Sequence, residues 1–148
     1  MRALVVGVGQ ADRGDDGVGL LLADRVANLA PAGVQVCTLS SPVRLTEAWE
    51  GYDLVVVVDA VRSGRTPGLV TVLAVTDDPL PARPGAGGTH GFGVAEAVEL
   101  ARTLGRLPSR LVLVGVEATG FTAGSVVSPA VQAALPVAER AVLDALGG

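Results

Sequence analysis

Five side chains in this 148-residue chain have the type and spacing for chemistry. Asp12, Asp15 and Asp16 lie in a glycine-rich turn, "GVGQADRGDDGVG", that runs from Gly7 to Gly19. Asp59 ends the apolar run "YDLVVVVDAV", and His90 follows a long irregular stretch. A glycine-rich turn between a strand and a helix usually cradles phosphate. This one departs from the dinucleotide fingerprint, because Asp12 stands at its third glycine position. The second strand, "VQVCTL", offers no acid for a ribose, and carboxylates in the turn would repel a pyrophosphate. A cation, or proton transfer, suits three aspartates better. Asp15 and Asp16 are adjacent, so their side chains diverge at a helix start, and one can cap while the other faces a crevice. Complementing the helix dipole is worth about 0.3–1 kcal/mol per acid, which accounts for one aspartate more readily than for the set.

Asp59 closes a strand with no polar alternation, and an acid there is costly unless paired or coordinated. In open α/β sheets, ligands bind outside the carboxyl ends of the strands. The helix after the first strand starts at that same edge, so Asp16 and Asp59 are expected to meet there. His90 stands among Thr89, Gly91 and Gly93, where backbone can approach a ligand closely. A lone histidine before a helix is more often a surface residue, and its claim here rests on that setting. Two carboxylates and an imidazole suit an open site for a divalent transition metal. They equally suit acid and base chemistry without a metal. Cys37 with His90 is a conceivable nucleophilic pair, although a small buried hydrophobe is the plainer role for Cys37. No G-x-S-x-G elbow occurs, so serine hydrolysis has no motif.

Composition removes other classes. All eleven Lys and Arg residues are arginine, which excludes a phosphate-loop lysine and a Schiff base. The single Cys37 excludes an internal disulfide and a cysteine-rich zinc site. A net charge of -4 gives nucleic-acid binding no electrostatic support. No apolar run approaches the ~20 residues of a membrane helix, and the start is too short in apolar residues for a signal peptide. A soluble cytoplasmic protein is expected, and the length suits one domain over residues 1–148.

Strands are expected at 2–8, 33–39, 52–61, 68–75 and 109–117. Helices are expected over 15–30, 43–51, 90–105 and from Ser128 to the end. Asp15 reads as the cap of the first helix, with Val18, Leu21, Leu22, Val26 and Leu29 as its apolar stripe. In the 90–105 helix, Phe92, Ala95, Val98 and Ala101 are placed inward, and Glu96, Glu99 and Arg102 outward. Ser128 caps the last helix, Pro129 opens it, and Pro136 is expected to kink it. The alternation predicts a three-layer α/β sandwich on a mostly parallel sheet. The short link between 52–61 and 68–75 predicts at least one antiparallel strand. The stretch 76–89, with its prolines and glycines, reads as a lid or binding loop.

Taken in order, "GVGQADRGDDGVG", "VVVVDAV", "GTHGFGVAEAVELA" and "LVGVE" resemble the hydrogenase maturation proteases. These are nickel-dependent endopeptidases that trim the C-terminal extension from the large subunit of [NiFe] hydrogenases. The resemblance covers nearly the whole chain, and G-x-G-x5-D-D-G-x-G is its most specific piece. It implies an α/β/α sandwich around a twisted five-stranded sheet. It implies Asp16, Asp59 and His90 as the metal-contacting residues. Two mechanisms stay open: nickel polarises the scissile carbonyl or activates water, or a catalytic Asp16 or Asp59 acts as the base with metal used only for recognition. It also implies that nickel arrives already installed in the precursor, as a checkpoint as much as a cofactor. Cleavage would then let the new C-terminus fold inward. The family's usual Asn after the second glycine is Gln10 here, which bears on a hydrogen bond in the turn. Glu117, after the last core strand, reads equally as a partner behind the metal-contacting residues or as a surface acid. The rival from another class is a non-cleaving metal- or peptide-binding accessory protein of the same fold.

Overall fold

Runs of β-branched residues without polar alternation form strands covered on both faces. The computed structural model describes residues 1–80, 93–120 and 126–147. Its strands are β1 (Ala3–Val8), β2 (Val34–Leu39), β3 (Leu54–Val61), β4 (Val70–Ala74) and β5 (Arg110–Glu117). Its helices are α1 (Val18–Ala27), α2 (Leu45–Ala48), α3 (Val94–Thr103) and α4 (Pro129–Gly147). The sheet order is β2-β1-β3-β5-β4. All pairs are parallel except β4 with β5. The antiparallel strand is therefore present, but its neighbour is not β3. β5 inserts between the two strands that the short link joins, and β4 becomes an edge.

Alternation along the strands sorts the core into two layers. Val5, Val56, Val58, Val112 and Val114 pack with Val18, Leu22 and Val26 of α1 and with α4. Leu4, Val6, Val55, Val57 and Leu113 pack with Leu45, Trp49 and the buried face of α3. A helical layer thus covers each sheet face, as the composition required.

Several expectations need correction. The first helix does not begin at Asp15: Gly14–Gly17 form a separate 3-10 turn, and α1 follows from Val18. Its stripe is narrower than the periodicity suggests, because Leu21 and Leu29 are exposed. On α3, Ala97 is buried and Ala95 only half-buried. Arg102 is not turned to solvent: its guanidinium pairs with Glu99 and donates to the Thr76 carbonyl. Glu99 in turn accepts the Leu80 N–H at 3.4 Å, so the chain after β4 is fastened along α3. Residues 90–92 of the expected helix, Phe92 included, lie outside the described residues. Ser128 does cap α4, its Oγ accepting the Val131 N–H at 3.4 Å, and Pro136 lies inside that helix. Among the described residues, no helix is long and apolar enough to cross a membrane.

Candidate active site at the carboxyl edge

The sheet order defines where a crevice opens. β1 has β2 on one side and β3 on the other, so the connections leaving β1 and β3 go to opposite ends of the sheet. Loops separate at such a switch point, and ligands bind there. The β1–β3 pairing ends at Gly7 with Val58, and Asp59 is the next residue. β3 continues beside β5 alone, with Asp59 opposite Gly115. By alternation Asp59 shares the face of Val55 and Val57, the face that α3 covers. Asp59 is half-buried.

Asp16 reaches the same rim from the glycine turn. Glycine is obligatory at several positions of that turn, Gly9 and Gly19 among them. Gly9 has φ +152°, and a Cβ there would lie 1.9 Å from the Asp16 carbonyl oxygen. A Cβ on Gly19 would lie 2.5 Å from the Val8 carbonyl and 2.7 Å from that of Val58. The start of α1 is thereby pressed against the ends of β1 and β3, and the 3-10 turn packs on β3. Within the turn, the Gln10 N–H donates to Asp16 Oδ2 at 3.0 Å. Gln10 takes part here through its backbone, a contact that either an Asn or a Gln side chain permits.

Asp15 points elsewhere. It is 1% exposed and caps neither its own turn nor α1. Thr119 donates to Asp15 Oδ2 from its N–H at 2.7 Å and its hydroxyl at 2.8 Å. The Ser128 N–H donates to Oδ1 at 2.6 Å, and the Ser128 hydroxyl to Oδ2 at 2.9 Å. Burial alone would push this carboxyl up. The Ser128 and Thr119 hydrogen bonds outweigh it and hold the group below the ordinary carboxylate value. Asp15 is a structural acid, as expected, but it binds the β5–α4 connection rather than its own helix.

Glu117 is the second buried carboxylate, 4% exposed, so it is not a surface acid. It accepts the Ser63 N–H at 2.9 Å and the Ser63 hydroxyl at 2.5 Å. These bonds fix the loop that leaves β3 just beyond Asp59. Sequence reasoning missed Thr119, Ser128 and Ser63 as partners. The only local signal among them was the capping signature of Ser128.

His90 lies outside the described residues. Arg106, just past the end of α3, accepts the Trp49 indole N–H through its carbonyl, and the chain then enters β5 at Arg110. α3 thus runs opposite to β5, with its Val94 end directed toward the carboxyl edge. Cys37 is half-buried against the α3-side core, and burial pushes its thiol up. That setting opposes the thiolate a nucleophile needs.

Asp16, in the turn after β1, and Asp59, near the carboxyl end of β3, would offer hard oxygen donors, and an imidazole would add a nitrogen. That donor set fits a divalent transition metal. The fold and rim define an open three-layer α/β protein that gathers carboxylates at its switch point. The chain belongs to the hydrogenase maturation protease family, whose model matches residues 40–145. It is 32% identical over 121 residues to the hydrogenase expression/formation protein HupD of Rhodobacter capsulatus, covering 78% of this chain and 57% of that protein. HupD of Bradyrhizobium diazoefficiens is 31% identical over 121 residues, with 78% and 62% covered. The chain thus spans about three-fifths of the curated relatives it matches. The fold superposes on the hydrogenase maturating endopeptidase HybD of E. coli with a TM-score of 0.80 and 25% identity, covering 99% of this chain and 93% of that one. The [NiFe] hydrogenase maturation protease HycI of Thermococcus kodakarensis shares the fold, with a TM-score of 0.74, 24% identity and coverage of 99% and 93%.

Proposed function

We propose that this protein is a cytoplasmic endopeptidase that removes the C-terminal extension of a nickel-loaded [NiFe] hydrogenase large-subunit precursor. The observation that supports the reading is the order of the strands: β1, followed by the turn that carries Asp16, and β3, which carries Asp59 near its carboxyl end, flank the switch point. Family membership supplies the substrate class.

Nickel belongs to the substrate in this reading. Asp16, Asp59 and His90 would contact it, and when bound it would polarise the scissile carbonyl. Asp16 and Asp59 are the catalytic acids. One carboxylate takes a proton from the attacking water and returns it to the departing amine as the peptide C–N bond breaks, and its neighbour holds the peptide in place. The Gln10 N–H at Asp16 Oδ2 keeps that carboxylate oriented.

The test is incubation with nickel-loaded and nickel-free precursor, read by intact mass. Loss of the C-terminal fragment from the loaded form alone is the expected result. A loaded precursor that binds tightly and stays whole would establish the non-cleaving accessory protein instead.

A further inference from the structure

The structure assigns Asp15 as the positioning residue for Asp16: its buried carboxylate locks the glycine turn to both ends of the β5–α4 connection. The activity part of this inference rests on the proposed role of Asp16, whereas the structural part does not. Four donors converge on one side chain, from Thr119 after β5 and from Ser128 before α4. The Asp15 backbone joins them, its N–H donating to the Gly120 carbonyl at 3.0 Å. Four donors on two oxygens require an acceptor-only group, which an ionised carboxylate is and an amide is not. Charge-assisted bonds of this kind are the strong ones, and they offset the cost of burying the charge.

The consequence for Asp16 follows from the turn. Successive side chains on a 3-10 helix diverge by about 120°. With Asp15 drawn inward to Thr119 and Ser128, Asp16 is directed away from them, to the Gln10 N–H. Its main chain is held on the other side by Gly9, which leaves no room for a Cβ against the Asp16 carbonyl. Its N–H donates to the Arg13 carbonyl at 3.1 Å. Asp15 and Gly9 together leave the Asp16 carboxylate one direction, and the Gln10 N–H reports on it.

The Gln10 amide therefore provides a readout independent of catalysis. Amide correlation spectra are recorded on the isotope-labelled full chain, below the melting temperature of every variant. Asp16→Ala gives the position of a Gln10 amide without its acceptor. Asp15→Asn, which fits the space but presents an amide to a donor, is expected to move the Gln10 signal more than half of that displacement. Ser128→Ala, which removes one bond of the four, is expected to move it the same way by less. Val142→Ala, a core truncation in α4, should lower stability and leave Gln10 in place. A Gln10 signal unmoved in folded Asp15→Asn and Ser128→Ala overturns the inference, as does an equal shift in Val142→Ala. In the processing assay, Asp15→Asn should lower kcat roughly 10–100-fold and leave KM for the precursor unchanged, the size seen when residues behind metal ligands are altered. A Gln10 shift with no processing by the wild-type chain would retire the protease reading and keep the positioning role.

Discussion

The two edges of this sheet are built from different materials. At the amino edge, Trp49 is buried and its indole N–H donates to the Arg106 carbonyl at 3.0 Å. Arg2 lies over the Tyr52 ring at 4.5 Å, and the Arg106–Glu50 pair, at 3.6 Å, is exposed. Aromatic packing and solvated charge are the ordinary means of closing a domain. At the carboxyl edge the turns instead bury Asp15 and Glu117, the two buried charged residues among those described. A buried carboxylate destabilises unless its lone pairs are satisfied. Here both are satisfied by loop donors, so the cost is met by ordering loops rather than by filling core. That difference makes the carboxyl edge the one whose loops are ordered by buried carboxylates.

The comparison can be broken by mutation, beginning with the largest effect. Asp16→Ala, Asp59→Ala and His90→Ala should each abolish precursor processing, with melting temperatures close to wild type. Wild-type turnover in any of them removes that residue from the site. Asp15→Ala strands the Thr119 and Ser128 donors. It should cost about 3 kcal/mol, a drop in Tm of roughly 6–12 °C by calorimetry. A loss no greater than that of a surface substitution would contradict the clasp. Acid unfolding sharpens the same point. Because Asp15 is held below its ordinary value, its contribution is complete above the unfolded carboxyl value of about 3.9 and is lost as pH falls through the folded value. Denaturant midpoints should therefore fall on acidification below about pH 4, and less steeply in Asp15→Asn. At the amino edge, Trp49→Phe should cost about 1–2 kcal/mol and leave kcat unchanged. Glu50→Gln should change stability by less than about 0.5 kcal/mol.

Much of the fold was legible because it depends on short-range pattern. Unbroken valines marked β3 as covered on both faces, and Ser128-Pro129 marked the start of α4. Asp16 and Asp59 could be placed at one edge because both follow parallel strands. What was illegible depends on long-range choice. Nothing near Asp15 announces partners 104 and 113 positions away, so helix capping was the natural local reading. The insertion of β5 between β3 and β4 is likewise decided by packing, since a short link usually joins neighbours. Arg102 falls on the outer side of α3 by periodicity, yet the Thr76 carbonyl and Glu99 draw it in. Leu21 and Leu29 fit the period of α1, but the sheet covers a narrower stripe than the pattern offers.

The central claim is that function sits at the carboxyl edge and not at the amino edge. The direct test is the intact mass of nickel-loaded precursor after incubation with Asp59→Ala and with Trp49→Phe, side by side. The account predicts an uncut precursor with Asp59→Ala and a trimmed one with Trp49→Phe. Trimming by Asp59→Ala at the wild-type rate would contradict it.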